Sequence, residues 1–327
     1  MSFRKSAANK IGGKFLVYGA TGTGKSLFGL TFPDSIAIDS ENGLCHYEGI
    51  SVSMNNGKTY NNLKFVDMTS DLDTLEEDLE DFVDIAEKNQ CKTLIIDSES
   101  KIYAGLQVSA NEVEERRARR KGKDATDVNI SVLSWGRIKL INMRLQQTKI
   151  DLSSKGYHIV SVAQEQEIKD DEGKRILGYK PDCYKTLPYD YDVVMRFFVK
   201  KENGEVHYYA EVIKDRTNVT KVGDIIENPC YDIWEKYFES RAGLSTAETS
   251  YKNDVKTSTE SMIDKSEKSE ELATEFKEVL KSLKDNKDAL LSVNKLMKEK
   301  NVTIKNLELQ SPEIITELID FAKLQLG

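Results

Sequence analysis

The sequence has little cysteine and no grouping of the cysteines it has. Only four occur among 327 residues, none of them in a C-x-x-C pair or beside a cluster of histidines. This scatter argues against a structural zinc site and predicts separate free thiols, as is usual in a reducing cytoplasm. The four are Cys45, Cys91, Cys183 and Cys230.

Long apolar runs are also missing. No stretch is apolar over the length that a bilayer-spanning helix needs. The first ten residues, MSFRKSAANK, lack the apolar core of a secretory signal peptide. We therefore expect a cytoplasmic protein with no membrane partner.

Positive charge is in deficit over the whole chain. Lysine and arginine number 47 against 55 aspartates and glutamates, which gives a formal net charge of −8. An acidic body cannot present a basic surface everywhere, so any site for a polyanion must be a local basic patch. The length suits one large domain with a small one, or two modest domains.

Residues 1–242 alternate short apolar runs with helical patterns, which predicts an α/β domain with a mostly parallel sheet. An Asn203-Gly204 pair between the last two runs predicts an antiparallel hairpin at the end of the sheet. The predicted strands are Lys14–Tyr18, Ser35–Asp39, Leu63–Asp67, Thr93–Asp97 and Tyr157–Ala163, followed by the hairpin strands Asp190–Lys200 and Glu205–Ile213.

The composition changes after the hairpin. Residues 243–270 are rich in Ser, Thr, Lys and Glu and nearly free of large apolar residues, which predicts a flexible linker. Apolar residues at helical spacing follow from Leu272 to Leu283 and again around Leu290. Ser311-Pro312 then begins a last helix as N-cap and first-turn proline. Residues 271–327 are therefore predicted to form a small all-α module, a possible site for a protein partner.

A phosphate-binding motif lies near the start of the chain. The segment KFLVYGATGTGKS contains G-x-x-x-x-G-K-S after a predicted strand and before a predicted helix. Its glycines let backbone N–H groups surround the β-phosphate of ATP, the lysine reaches the β- and γ-phosphates, and the serine hydroxyl binds Mg²⁺. The predicted nucleotide-binding residues are Gly19, Ala20, Thr21, Gly22, Thr23, Gly24, Lys25, Ser26 and Leu27.

A carboxylate at the end of a buried strand is the second element that such a site needs. In CKTLIIDSES, an apolar run ends at Asp97, about seventy residues after the motif. A carboxylate in this position holds Mg²⁺ together with the motif serine. The sequence therefore predicts Ser26 and Asp97 as the metal-binding residues.

Three further segments resemble RecA-like (RecA/KaiC core) ATPases. SIAIDSENG resembles the strand that ends in the residue activating the attacking water, which implies Glu41 as general base, with Glu99 in DSES as the rival carboxylate. YHIVSVAQEQEI is similar to the strand that ends in a polar sensor, here Gln164. VIKDRTN resembles the element that reaches the ATP of a neighbouring subunit, which implies that Lys214 and Arg216 act in trans.

Over residues 10–240 the chain resembles phage-type members of the RecA-like group that serve single-strand annealing and recombination. FPDSIAIDSENG, the Trp135-Gly136 pair and the PYDYDVVMRF hairpin carry this resemblance. It implies an ATP-hydrolysing homo-oligomer, a ring or a short filament, that binds single-stranded DNA. If a phage encodes the chain, its place would be the host cytoplasm.

Two polar segments lie where RecA-like proteins have their DNA-binding loops. The first, EVEERRARRKGKDATD, is strongly basic but also contains three glutamates, so a solvated helix face is the alternative. The second, EQEIKDDEGKRILGYKPDCYKTLPYD, mixes lysines with tyrosines, a combination that suits unpaired bases. The predicted DNA-binding residues are Arg116, Arg117, Arg119, Arg120, Lys121, Lys123, Lys174 and Arg175.

Two other functions are compatible with the same motif. A nucleotide or small-molecule kinase would use the basic segment at 116–123 as a lid over the phosphates. A non-catalytic scaffold would use ATP only as a switch and recruit a partner through its C-terminal helices. ATPase activity with and without single-stranded DNA separates the three hypotheses.

Overall fold

The computed structural model describes residues 6–55, 57–122, 124, 128–246 and 251–325. The chain divides into two units, Met1–Thr249 and Ser250–Gly327. None of the helices in the described ranges has the length and apolar character that crossing a membrane requires.

A mostly parallel sheet forms the centre of the first unit. In the described residues its order is β11-β10-β9-β1-β7-β6-β2-β5, with β8 paired to β7, and strands β3 and β4 form a separate small ladder. The strands are β1 Lys14–Gly19, β2 Ser35–Asp39, β3 Val52–Ser53, β4 Thr59–Tyr60, β5 Leu63–Asp67, β6 Thr93–Asp97, β7 His158–Lys169, β8 Ile176–Asp182, β9 Val193–Glu202, β10 Glu205–Asp215 and β11 Ile225–Glu227.

The helices of this unit cover both faces of the sheet. Strand β1 is fully buried, and its alternate side chains belong to two different cores, Phe15 and Val17 to one and Leu16 and Tyr18 to the other. The helices are α1 Lys25–Leu30, α2 Leu72–Asn89, α3 Glu99–Arg120, α4 Val132–Ser154, α5 Leu187–Asp190 and α6 Asp232–Glu239. The predicted α/β fold class with a mostly parallel sheet is confirmed.

Side-chain caps determine where three of these helices begin. Helices α2, α3 and α4 follow Asp71, Ser98 and Ser131, and each cap accepts a hydrogen bond from the backbone N–H three residues later. Such a bond satisfies one of the free N–H groups of the first turn and stabilises a helix by about 1 kcal/mol.

The predicted hairpin is present. Strands β9 and β10 pair antiparallel, and Asn203 and Gly204 have φ angles of 50° and 90°. Both angles are positive, as the favoured two-residue hairpin turn requires. A second hairpin, β7 with β8, lies where the sequence predicted a loop after Gln164. The charged residues beyond Gln164 are exposed or half-buried, so they lack the apolar alternation that reveals a strand.

The second unit differs from the sequence prediction at its start. Its helices are α7 Tyr251–Ser282, α8 Lys287–Glu299 and α9 Pro312–Leu324. The interval 251–270, which was predicted as part of a flexible linker, is therefore helical. Lysine and glutamate are good helix formers, so an exposed helix needs few apolar residues. The Ser269 hydroxyl, which is buried, donates to the Gln310 carbonyl at 2.9 Å and ties this segment to the rest of the unit.

A buried histidine in β7 makes the stability of the first unit depend on pH. The Gly13 N–H donates to Nδ1 of His158 at 3.0 Å, so Nε2 carries the proton and donates to the Tyr231 hydroxyl at 3.3 Å. Burial lowers the pKa of His158 to about 3. The unfolded chain binds a proton near its usual pKa of about 6.5, whereas the folded chain does not.

We therefore expect the free energy of unfolding to fall as the pH drops below about 6.5, by about 1.4 kcal/mol per pH unit from this residue. Urea unfolding between neutral and mildly acidic pH measures the slope. His158→Gln should flatten it, whereas His46→Gln, at an exposed position, should leave it unchanged. Equal slopes in all three proteins would contradict the assignment.

Candidate nucleotide-binding site

The predicted phosphate loop connects the buried end of β1 to the start of α1. Gly22 and Gly24 have φ angles of 73° and 89°, a region that residues with a Cβ rarely adopt. At Gly19 a Cβ would lie 2.2 Å from the Phe197 carbonyl oxygen on β9. The loop can therefore keep this path only with glycine at these three positions.

Lys25 is folded back over the loop. Its Nζ donates to the Ala20 carbonyl at 2.6 Å, and the Thr23 hydroxyl donates to the same oxygen at 2.8 Å. Burial lowers the pKa of Lys25, and the carboxylates of Asp97 and Glu41 act in the opposite direction. The lysine therefore lies in a partly desolvated place where its charge acts strongly on an anion.

A cleft of about 580 Å³ opens over the loop. All nine predicted nucleotide-binding residues line it, and so do Glu41, Asp97 and Gln164, which are far apart in the sequence. The parallel register explains why these residues come together. Gly19 pairs with Gln164 and Asp39 pairs with Asp97, and both pairs lie at the carboxyl ends of the parallel pairings. The sequence analysis missed Tyr47, Ser98, Val162, Ala163, Glu165 and Tyr208, which complete the lining.

Asp97 and Ser26 are in direct contact. The Ser26 hydroxyl donates to Asp97 Oδ2 at 2.5 Å. Burial raises the pKa of Asp97 to about 6, and the hydrogen bond from Ser26 partly offsets this. A buried carboxylate beside a hydroxyl is a donor set that fits Mg²⁺, because the cation would offset the cost of burying the negative charge.

Glu41 is held at the cleft by a short chain of polar contacts. Ser98 Oγ donates to Glu41 Oε1 at 2.5 Å, and Gln164 Nε2 donates to the same oxygen at 3.0 Å. The turn that carries Glu41 is fixed by Asp39, whose carboxylate accepts from the N–H groups of Glu41 and Leu44 at 3.0 and 2.7 Å. Asp39 therefore has a positioning role that the strand pattern alone did not reveal.

Glu99, the rival carboxylate, lies elsewhere. It is 5% exposed, forms an ion pair with Lys149 and accepts hydrogen bonds from Ser161 Oγ at 2.6 Å and Tyr191 Oη at 3.2 Å. It does not line the cleft. The structure thus puts Glu41 at the phosphate site and Glu99 in a buried network between α3, α4 and β7.

Gln164 is not at the end of its strand, as the sequence analysis expected, because β7 continues to Lys169. It stands where the parallel pairing with β1 ends and the antiparallel pairing with β8 begins. Its side chain nevertheless points to Glu41, as the hydrogen bond shows. Gln164 therefore connects the cleft to the β7–β8 hairpin.

Lys214 and Arg216 lie near the amino ends of the parallel strands, whereas the phosphate loop lies at their carboxyl ends. Asp215 on β10 pairs with Val193 on β9, and Val193 pairs with Phe15 on β1. Phe15 is four residues before Gly19, so this level of the sheet is roughly 13 Å from Gly19 along the strand. Lys214 Nζ donates to the carbonyls of Pro188 and Tyr189 at 3.0 Å each. Neither cation lines the cleft of its own chain.

The basic segment 116–121 is helical rather than a loop, since α3 continues to Arg120. Three of its arginines form ion pairs with glutamates of the same helix, as the alternative interpretation anticipated, at N–O distances of 3.0–3.6 Å. These pairs are Arg116–Glu112, Arg117–Glu114 and Arg119–Glu115. Lys123 lies outside the described residues, and Lys174 and Arg175 lie in the turn between β7 and β8.

A phosphate loop between a buried strand and a helix, with a carboxylate against its serine, defines a P-loop nucleotide-binding protein. Residues 11–223 match the AAA_24 family, described as an AAA domain. This match covers more than half of the chain, and the protein belongs to that AAA-domain family.

Solved structures with a similar fold have low identity to the chain. A KaiC-like protein of Pyrococcus horikoshii is 14% identical with a TM-score of 0.40, covering 67% of this chain and 90% of its own. The flagellar accessory protein FlaH of Methanocaldococcus jannaschii is 12% identical with a TM-score of 0.37, covering 67% and 85%. Neither similarity bears on function. A comparison with curated protein sequences gives no significant match.

Proposed function

We propose that the protein is an ATPase of a homo-oligomer that binds single-stranded DNA and serves phage-type annealing or recombination. One observation carries the ATPase assignment. The phosphate loop, Asp97 and Glu41 all line one cleft, and Asp97 accepts a hydrogen bond from Ser26 of the loop. The cleft therefore combines the cation Lys25, the proposed metal-binding pair Ser26 and Asp97, and the carboxylate of Glu41.

Each residue of the cleft has a separate task in this proposal. The loop N–H groups and Lys25 hold the phosphates and offset the charge that develops on the γ-phosphoryl group. Ser26 and Asp97 would hold Mg²⁺, which would supply positive charge to offset the charge that develops on the phosphates. The Glu41 carboxylate orients water and accepts its proton, while Ser98 and Gln164 hold that carboxylate in place through Oε1.

The DNA part of the proposal rests on a sequence resemblance and on one path of contacts. The resemblance of the sequence to the annealing group suggests it, and Gln164 gives a physical route from the cleft to the β7–β8 hairpin that carries Lys174 and Arg175. Binding of DNA at the hairpin would then shift Gln164 and, with it, Glu41.

The test is ATP turnover by the full chain with and without a single-stranded oligonucleotide. We expect turnover that rises on addition of the oligonucleotide, with Lys25→Ala as the inactive control. Phosphate transfer to a small acceptor without release of inorganic phosphate would instead identify a kinase. ATP binding without turnover under any condition would identify a scaffold.

The place of Arg216 makes the oligomer testable. Because Arg216 lies far from its own phosphate loop, we expect it to act on the ATP of a neighbouring subunit. Arg216→Ala should then keep its affinity for ATP and lose turnover by about 10³-fold or more, the usual effect of an arginine finger. Lys221→Ala, at an exposed cation on the turn after β10, is the matched control.

Mixing Arg216→Ala with Lys25→Ala should restore part of the activity. At a mixed interface, one chain contributes the intact loop and the other the intact arginine. If exchange of subunits is demonstrated and no activity returns, the assignment in trans fails. A fully active monomer would remove the interface altogether.

A further inference from the structure

Helix α4 has an unusual charge pattern for an acidic protein. From Val128 to Ile150 the sequence contains no aspartate or glutamate, although the chain has 55 of them. The same interval contains three exposed cations, Arg137, Lys139 and Arg144. None of the three forms an ion pair with a described residue. The outer surface of α4 is therefore positive up to Ile150, and the one carboxylate of the helix, Asp151, lies in its last turn, where it accepts from Gln147 at 2.9 Å.

The outer surface of α4 is also apolar. Its inner side, which includes Ile138 and Leu145, is buried against the sheet. On the outer side, Val132, Leu140 and Met143 are 90%, 56% and 46% exposed. At 3.6 residues per turn these three side chains and Gly136 form one line, here called the apolar stripe, about 16 Å long. Exposed stripes of this kind mark binding surfaces.

Aromatic and cationic side chains border the stripe on both sides. Trp135, 43% exposed, and Lys139 are four residues apart and lie on one side. Leu133, Arg137 and Arg144 lie on the other side by the same helical spacing. The result is an apolar strip between two rows that contain positive charge. Trp135 belongs to no ring pair within the described residues, whereas the other tryptophan, Trp234, is fully buried against Phe15 and Phe28.

The start of α4 is fixed to the basic end of α3. The hydroxyls of Ser131 and Ser134 both donate to Glu114 Oε1 at 2.5 Å. Glu114 also pairs with Arg117, and these hydrogen bonds lower its pKa to about 2. The carboxylate of Glu114 is thus occupied with helix contacts. Three arginines of α3 are thus paired with glutamates of their own helix, whereas the three exposed cations of α4 are not.

Two acidic residues lie at one border of this surface. Asp71 and Asp73, at the start of α2, share a groove with Arg137. The carboxylate of Asp71 caps its own helix by accepting from Thr74. Neither aspartate reaches the side of the stripe that carries Trp135 and Lys139, since the groove is lined from α4 only by Ser134, Arg137, Ile138 and Ile141.

We propose that single-stranded DNA binds across the outer face of α4, with bases on the apolar stripe and Trp135 and phosphates on Arg137, Lys139 and Arg144. This inference rests on the proposed function and adds a second contact surface for DNA to the β7–β8 hairpin. Unpaired DNA exposes apolar base faces beside a line of negative charge, which matches an apolar strip between cations. Duplex DNA hides those base faces, so it matches only the cations.

Fluorescence of Trp135 tests the stacking directly. The full-length protein is titrated with an unlabelled oligothymidylate while tryptophan emission is recorded. We expect quenching in the wild type and none in Trp135→Phe, where only the buried Trp234 remains. Phenylalanine can still stack, so Trp135→Phe should bind within about threefold of wild type, while Trp135→Ala should lose about tenfold or more. Equal affinity of both variants would overturn the stacking role.

Salt dependence tests the phosphate contacts. Affinity for the oligonucleotide should fall with salt at a log–log slope of about 0.7 per phosphate neutralised. The triple variant of Arg137, Lys139 and Arg144 to Ala should therefore reduce the slope by about 2. The matched control replaces Lys88, Lys92 and Lys221, three exposed lysines outside α4, by Ala and should change little.

The possible outcomes separate this inference from the proposed function. If the wild type binds no single-stranded DNA, the proposed function itself fails. If it binds but the α4 variants match wild type, while replacing Arg116, Arg117, Arg119 and Arg120 flattens the slope, only the α4 site fails. A change in oligomer mass without a change in DNA affinity would identify the face as an interface between copies and overturn the proposal. Tighter binding of single-stranded RNA would overturn the assignment to DNA.

Discussion

Lys25→Ala is expected to abolish ATP hydrolysis without unfolding the protein. The lysine lies on the phosphate loop with its Nζ 2.6 Å from the Ala20 carbonyl, and it is the cation that would face the β- and γ-phosphates. Removing one preorganised charge or donor from a developing anion typically costs about 10²–10³-fold in rate. Phosphate release measured at saturating ATP gives the effect, and Lys88→Ala, an exposed position, is the control.

Asp97→Asn should have a comparable effect through the metal. The substitution keeps the size of the side chain but removes the charge that would bind Mg²⁺ with Ser26. We expect turnover to fall by about 10²-fold or more, with partial recovery at high Mg²⁺, because the remaining ligands bind the cation more weakly. Thermal unfolding checks that both variants are folded. Wild-type turnover in a folded Lys25→Ala or Asp97→Asn protein would refute the phosphate site.

Glu41→Gln is expected to bind ATP normally and to hydrolyse it about 10²–10⁴-fold more slowly, the usual contribution of a general base. The amide keeps the shape of the side chain and can still accept hydrogen bonds from Ser98 and Gln164. It cannot take a proton from water. Hydrolysis of ATP is measured under single-turnover conditions rather than at steady state, because this separates the chemical step from product release.

Glu99→Gln is the matched variant and should behave in the opposite way. Glu99 is the ion-pair partner of Lys149, and both side chains are buried. Neutralising one partner of a buried pair destabilises a protein by about 3–5 kcal/mol because the other charge remains without compensation. We expect a large loss of stability but near-normal turnover per folded molecule. The reverse pattern, with Glu99→Gln folded and inactive and Glu41→Gln normal, would exchange the two roles.

Local patterns in the sequence were sufficient for the sheet and the phosphate loop. Buried parallel strands are continuous apolar runs, so β2 and β6 have the predicted bounds, and β1 differs only by the addition of Gly19. The edge strand β5 also has the predicted bounds, although its residues are half-buried or exposed. The G-x-x-x-x-G-K-S spacing is itself a requirement of the loop backbone, as the positive φ angles of Gly22 and Gly24 show.

Charged segments were predicted less well, because their composition is compatible with several structures. The interval 251–270 is helical, and the basic segment at 116–121 belongs largely to a helix that neutralises its own arginines. A Glu and an Arg four residues apart stabilise a helix by pairing with each other. The same charges in a sequence are also compatible with an exposed loop. The strand β8 was also missed, because its apolar residues Ile176 and Leu177 are adjacent and mostly polar or small residues follow, which leaves no period of two.

The sequence by itself determined which residues can touch phosphate, because a loop motif is contiguous in the chain. Only the tertiary structure shows which of the two glutamates lies at the cleft. Glu41 and Glu99 both follow acidic strand ends, but the first turns into the cleft and the second turns into the core to meet Lys149. The exposure of Trp135 and Leu140 on the outer face of α4 was likewise not evident from the sequence. Burial depends on which side of a helix meets the sheet, and that is settled only when distant parts of the chain pack together.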